Sequence, residues 1–136
     1  VELNYTYIHS EVEVPRTGTG MTDKTSLPNQ SKNIFNSILF YERNGIMIRL
    51  AGNYRGASVE TINQVAGKDF YVWTDKNFTI DASATVNITK SIRVFAELNN
   101  LTNEPLRLYM GDKRRVTSTE WYGSRGQAGI RWDIIK

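Results

Sequence analysis

Residues 34–55 read IFNSILFYERNGIMIRLAGNYR. In the second half of this stretch Ile46, Ile48, Leu50 and Tyr54 fall on one side of a two-residue period, with Gly52 between them. Arg49, Asn53 and Arg55 fall on the other side. A period of two predicts a β-strand, because successive side chains point to opposite faces of a sheet. The first half, Ile34 to Glu42, is apolar on both faces except at Asn36 and Ser37, so hydropathy alone leaves its orientation open. Arg43-Asn44-Gly45 joins the two halves, and Asn-Gly supplies the positive backbone dihedrals that a tight hairpin requires. The stretch therefore predicts two antiparallel neighbours.

The same period recurs outward from this hairpin. Val1, Leu3, Tyr5 and Tyr7 alternate with Glu2, Asn4 and Thr6. Phe78, Ile80, Ala82, Ala84, Val86 and Ile88 alternate with Thr79, Asp81, Ser83, Thr85 and Asn87. After a brief Thr89-Lys90-Ser91 turn, Ile92, Val94, Ala96 and Leu98 oppose Arg93, Phe95, Glu97 and Asn99. The last predicted strand runs from Gln127 to Ile134, with Ala128, Ile130 and Trp132 on one face. Short turns at 43–45 and 89–91 alternate with long connections at about 15–33, 56–77 and 101–126, which places every long connection at one end of the sheet. Those connections are rich in Gly, Ser, Thr, Asn, Asp and Lys, with brief strands expected at 68–73 and 114–122.

Composition narrows the function classes. The chain has 136 residues, 17 basic against 14 acidic and no cysteine, which removes disulfides, thiolate chemistry and Cys-based zinc sites. A net charge of +3 spread along the chain, with one short cluster at Lys113, Arg114 and Arg115, is a poor footprint for nucleic acid. No apolar run is long enough for a membrane helix, although that leaves membrane strands open. His9 is the sole imidazole, and no nucleophile, base and orienting group stand in series, so an enzyme is not expected. Neither Gly18-Thr19-Gly20 nor Gly123-Ser124-Arg125-Gly126 completes a phosphate loop. No metal site and no cofactor are expected.

Two architectures suit an all-β chain of this pattern. One is a soluble antiparallel β domain that binds a carbohydrate or a protein partner, with the apolar face inside. The other is a segment of an antiparallel transmembrane β-barrel. Its apolar strands of about ten residues match a tilted bilayer crossing. Polar side chains at the strand centres suit a wet interior, and long loops segregated from short turns suit the two sides of an outer membrane. Tyr5, Tyr7, Phe40, Tyr41, Tyr54, Phe78 and Trp132, near strand ends, suit interfacial girdles.

Asn99-Asn100-Leu101-Thr102-Asn103-Glu104-Pro105, followed by Arg107, Tyr109 and Gly111, resembles the penultimate-strand exit of TonB-dependent outer-membrane receptors. Leu27-Pro28-Asn29-Gln30-Ser31-Lys32 resembles the start of a descending strand in that family, and Tyr41-Glu42-Arg43-Asn44-Gly45 its periplasmic hairpin. Asn53-Tyr54-Arg55 resembles the next strand exit, Thr79 to Ile88 a descending strand, and Glu120-Trp121-Tyr122-Gly123 the return to the last strand. The resemblance implies that residues 1–136 are about six C-terminal strands of a 22-stranded barrel lying in the bacterial outer membrane. The long loops would be extracellular and the C-terminus periplasmic. It implies energy-coupled uptake of a siderophore, carbohydrate or other organic solute. The partners would be the rest of the barrel, an N-terminal plug, TonB and lipid, with the plug absent from these residues. The family's terminal aromatic is replaced here by Trp132-Asp133-Ile134-Ile135-Lys136.

Under that resemblance Arg49, Asn53, Asp81, Ser83, Arg93 and Glu97 are expected to face the lumen. Tyr71, Trp73, Tyr109, Arg114, Arg115, Trp121 and Tyr122 are expected to contact ligand from the extracellular loops. The physical basis is that aromatic platforms beside cations hold sugars or anionic solutes.

Overall fold

The computed structural model describes residues 1–134. Twelve strands and one short 3-10 helix follow in chain order: β1 (Glu2–Tyr7), β2 (Val12–Pro15), β3 (Thr22–Thr25), β4 (Asn33–Arg43), β5 (Ile46–Arg55), β6 (Ser58–Thr61), the helix (Lys68–Phe70), β7 (Val72–Thr74), β8 (Asn77–Asn87), β9 (Ile92–Asn99), β10 (Leu106–Met110), β11 (Val116–Glu120) and β12 (Arg125–Trp132). They form a six-stranded sheet in the order β1-β4-β5-β8-β9-β12, a four-stranded sheet β11-β10-β7-β6 and a hairpin β2-β3. Every described pairing is antiparallel.

The six expected long strands are present and build the large sheet. Its register assigns the face that hydropathy left open in β4. Phe35 lies opposite Tyr54 and Leu39 opposite Leu50, so Phe35, Ser37, Leu39 and Tyr41 join the apolar face, while Asn36 sits opposite Asn53 on the polar one. Tyr5, Phe35, Tyr54 and Phe78 are directly opposed across four strands, a row in which cross-strand aromatic pairs stabilise neighbouring strands. The Phe78 ring reaches over Gly52, whose missing side chain leaves room for it. At the first hairpin Asn44 (φ 51°) and Gly45 (φ 76°) both take the left-handed conformation, as a two-residue type I′ turn demands.

Burial is not concentrated in the large sheet. Apart from Ala51, its residues are half-buried or exposed, and Leu3, Tyr5, Tyr7, Leu39, Ile48, Leu50, Ile130 and Trp132 leave the apolar face open. The buried side chains Val14, Val59, Tyr71 and Tyr109 gather instead where the β2-β3 hairpin meets the four-stranded sheet. The long connections are thus the better packed part of the molecule. Brief strands were expected at 68–73 and 114–122. The first is a 3-10 turn followed by β7, and the second contains β11, whereas β2, β3, β6 and β10 are additions.

The expected barrel segment is not what the described residues build. A barrel is one continuous sheet without edges, yet here three separate sheets stay open, and β1 and β12 are unpaired edges of the largest. The receptor assignment, its energy-coupled uptake and its outer-membrane location fall with that closure. So do the lumen, the plug, TonB and lipid as partners, and the sidedness of the loops. No described helix is long and apolar enough to cross a membrane, a fact silent about strands. Of the C-terminal run set against the family's terminal aromatic, Trp132 ends β12, and Ile135 and Lys136 lie outside the described residues.

Gly45 tests the hairpin. A left-handed backbone disfavours any Cβ, and one added here would stand 3.2 Å from that of Asn87. Gly45→Ala is expected to lower stability by about 1–2 kcal/mol, read as a lower urea midpoint at unchanged slope. An unchanged midpoint would mean that the turn does not constrain the sheet.

Candidate functional site

The six residues expected to face a lumen share the polar face of the large sheet. Arg49, Asp81, Ser83 and Glu97 line a shallow depression of about 190 Å3 with Asn99. Arg93 and Glu97 line an adjoining one of about 500 Å3. Most of their polar groups are engaged by neighbours. Asn53 Nδ2 donates to Asp81 Oδ2 at 3.1 Å, and the Asn100 backbone N–H donates to Asp81 Oδ1 at 2.9 Å. Gln127 Nε2 donates to Glu97 Oε2 at 2.6 Å, and Arg93 Nε to Asn87 Oδ1 at 3.0 Å. These residues stand on the face of an open sheet and not in a lumen.

The loop candidates divide. Tyr71 and Tyr109 are buried at 1% and 6% exposure, so they support the site without offering a surface to a ligand. Trp73 stacks on Tyr109 with ring centroids 6.3 Å apart and planes 5° from parallel. Arg114 is held by its neighbour Asp112, Nε to Oδ1 at 2.9 Å. Arg115 donates to the Asp69 carbonyl and lies over the Phe70 ring. Trp121 and Tyr122 are exposed just beyond β11, where the Tyr122 hydroxyl donates to Glu120. That bond raises the Tyr122 pKa, because losing the proton would set two negative charges side by side.

A third concavity, of about 510 Å3, opens on the packed side of the molecule between the β2-β3 hairpin and the four-stranded sheet. Gln30, Lys24, Lys32, Lys68, Asp69 and Trp73 are among the side chains on its wall. Three local devices position them. Asn29 takes a left-handed conformation, and its N–H donates to the Val59 carbonyl. Next to it, buried Ser31 donates to the Gly56 carbonyl at 2.7 Å and accepts from Arg55 Nε at 3.0 Å, so the turn carrying Gln30 is fastened at both ends. The third device is Gly111 at φ 66°, whose N–H donates to the Tyr71 carbonyl. An added Cβ there would strike the Asp69 carbonyl.

Behind the wall, Arg16 grips Asp23 with two parallel bonds, Nε to Oδ2 at 2.9 Å and Nη2 to Oδ1 at 3.0 Å. The Tyr71 hydroxyl donates to the same Oδ2 at 3.3 Å. A bidentate guanidinium–carboxylate pair is among the stronger charge-assisted contacts. The Arg16 hydrogen bonds hold the Asp23 carboxyl below its usual pKa against the opposing effect of burial. Burial pushes the Tyr71 phenol up, reinforced by the Asp23 charge. Lys24 is kept cationic by Glu11 and Glu13, at 3.1 and 3.3 Å.

One wall group stands apart. Gln30 Oε1 is buried and has no hydrogen-bond partner among the described residues, although buried amide oxygens are normally satisfied. The sequence singled out neither Gln30 nor Lys24 and Lys32 as site residues, since their convergence depends on turns separated along the chain. Among the described residues no group of His, Asp and Glu is arranged to hold a metal ion.

Fold and site together define an antiparallel β domain that carries a polar cleft edged by an indole. Comparison with protein-family models, with curated proteins and with solved structures gave no match for this chain.

The sign of the Asp23 effect is fixed by its depressed pKa. The ionised carboxylate stabilises the fold above the ordinary carboxylate value of about 3.9, and that contribution is lost as pH falls through the lower folded-state value. Asp23→Asn is expected to remove this part of the acid dependence and to lower stability at neutral pH, because Arg16 loses its anion. Identical unfolding midpoints for the two proteins from pH 7 down to pH 3 would show that the pair contributes nothing.

Proposed function

We propose that this chain is a non-catalytic binding domain that holds a carbohydrate in the cleft between the β2-β3 hairpin and the four-stranded sheet. The observation that carries this reading is the unpartnered Gln30 Oε1 on the cleft wall. A buried acceptor left unsatisfied costs about 1–3 kcal/mol, and a ligand hydroxyl donated to it recovers that cost. The other wall groups suit the same ligand. Lys32 and Lys68 are exposed donors, and Trp73, half-buried and backed by Tyr109, offers an apolar surface to the C–H side of a sugar ring. The cleft volume of about 510 Å3 lies within the usual range for small-ligand pockets, about 300–1,000 Å3.

A binding role needs no reactive centre, which is consistent with the chemistry on the wall. His9 borders the cleft without a nucleophile in hydrogen-bonding reach among the described contacts. Asp69 and Glu11 are exposed carboxylates.

Calorimetric titration of the whole chain with neutral and acidic oligosaccharides tests the proposal. Gln30→Ala is expected to weaken binding about 3- to 10-fold, the range of one net hydrogen bond, with the circular dichroism spectrum unchanged. Gln30→Glu, which keeps an acceptor at the same place, is expected to retain most of the affinity for a neutral sugar. A panel in which nothing binds, or binding that ignores both Gln30→Ala and Lys32→Ala, would overturn the assignment.

A further inference from the structure

We propose that copies of this chain join edge to edge, β12 of one copy pairing with β1 of the next in a defined antiparallel register. Among the described residues both strands are free edges of the large sheet, and an edge exposes a row of unused N–H and C=O groups. The sheet has six strands in strict antiparallel alternation. Its two outermost strands therefore run in opposite directions, and a β1 laid beside β12 in the same plane is antiparallel without any turning of the second copy.

The hydrogen-bonding parity of each edge can be read from the ladders. The Ile8 N–H donates to the Lys32 carbonyl at 2.9 Å, one step beyond the β1–β4 register. Alternation along an antiparallel pair then turns the backbone groups of Thr6, Asn4 and Glu2 towards β4 and leaves those of Tyr7, Tyr5 and Leu3 facing outward. At the other edge the Asp133 N–H donates to the Ser91 carbonyl at 2.8 Å, continuing the β12–β9 register. Arg131, Gly129 and Gln127 are thereby committed to β9, and Trp132, Ile130, Ala128 and Gly126 face outward. On both edges the residues with free backbone groups are those whose side chains belong to the apolar face. Pairing them keeps that face continuous across the junction.

Side chains select among the registers this parity allows. With Leu3 opposite Ile130, Tyr5 falls opposite Ala128 and Tyr7 opposite Gly126, so each bulky tyrosine meets a small residue. On the polar face the same register sets Glu2 opposite Arg131, Asn4 opposite Gly129 and Thr6 opposite Gln127. A shift of two residues one way puts Glu2 against Asp133, and a shift the other way puts it against Gly129. Symmetric pairing of two β12 strands about Ala128 would set Arg125 against Arg131 twice, and directly opposed like charges are destabilising. Head-to-tail pairing leaves a free edge on each terminal copy, so growth continues beyond two unless the array closes on itself.

The absence of native cysteine permits a direct test of register on the whole chain. Thr6 and Gln127 would form a non-hydrogen-bonded pair, with Cα atoms about 4.5 Å apart, inside the span a disulfide tolerates. Thr6→Cys and Gln127→Cys chains, mixed and oxidised, are expected to give at least about tenfold more cross-linked dimer than Glu2→Cys mixed with Gln127→Cys, whose sites lie four residues out of register and beyond disulfide reach. Sedimentation of the unmodified chain is expected to show mass rising with concentration. Equal yields from the two mixtures, or predominant self-linking of Gln127→Cys alone, would overturn the register. A monomer at every concentration would overturn the association itself.

Discussion

The Asp81 carboxylate fixes where the pairing of β8 with β9 stops. One oxygen accepts from the Asn53 amide on the adjacent strand β5, and the other accepts from the Asn100 backbone N–H just past β9. A carboxylate in this position ties three successive segments of the sheet through hydrogen bonds that its charge strengthens. Around it, the Asn100 side chain accepts from the Glu104 N–H and donates to the Glu104 carbonyl, and Ser124 donates to the Asn100 carbonyl. The outward leg of the last long connection is thereby clasped to its return leg. The start of β10 and the start of β12 both follow from this one junction, and β10 supplies the Tyr109 on which Trp73 rests.

The packed side of the molecule uses a second carboxylate in the same manner. Asp23 lies on a four-residue strand with only one hairpin partner, and such a hairpin is marginal by itself. Its attachment comes from Arg16, which holds Asp23 while packing against Gly67, and from the Tyr71 hydroxyl just before β7. The contacts of Arg16 with Gly67 and of Tyr71 with Asp23 span sequence separations that no described ladder covers. They put Lys24 and Gln30 on the same wall as Trp73, so the cleft is a product of the clasp and not of any one sheet. Wall groups held in place before a ligand arrives lower the cost of ordering it on binding.

Strands β5, β8, β9 and β12 were legible because each alternates over eight to eleven residues, and Asn44-Gly45 has few other conformations to take. The small sheets were not. Thr22-Asp23-Lys24-Thr25 and Ser58-Val59-Glu60-Thr61 carry almost no hydropathy signal, and what makes them strands is pairing with segments brought near by folding. Trp73 was legible as an aromatic beside charges. Gln30 was not, because an amide in a polar turn gives no sign that its oxygen will be buried without a partner. The mistaken closure has a related cause. Asn100 and Asn103 adopt the left-handed conformation, and asparagine-rich strand exits of this sort encode a turn. They encode nothing about what lies beyond the first and last strands.

Alternation says which side chains share a face but leaves open what covers that face, and in this chain the question of the face cannot be separated from the question of the edges. The outward backbone groups of β1 belong to Leu3, Tyr5 and Tyr7, and those of β12 to Gly126, Ala128, Ile130 and Trp132. All seven residues lie on the exposed apolar side of the sheet. Any strand that satisfies an edge must therefore place its own alternate residues on the apolar side, and a polar residue there would be set beside Leu3 and Tyr5 at one edge or Ala128 and Ile130 at the other. The free hydrogen-bonding groups and the uncovered apolar surface consequently impose one requirement on whatever adjoins the sheet: a strand of period two, in phase with the apolar face. Within the described residues, the segments that meet it at the outer boundaries are the two edge strands themselves.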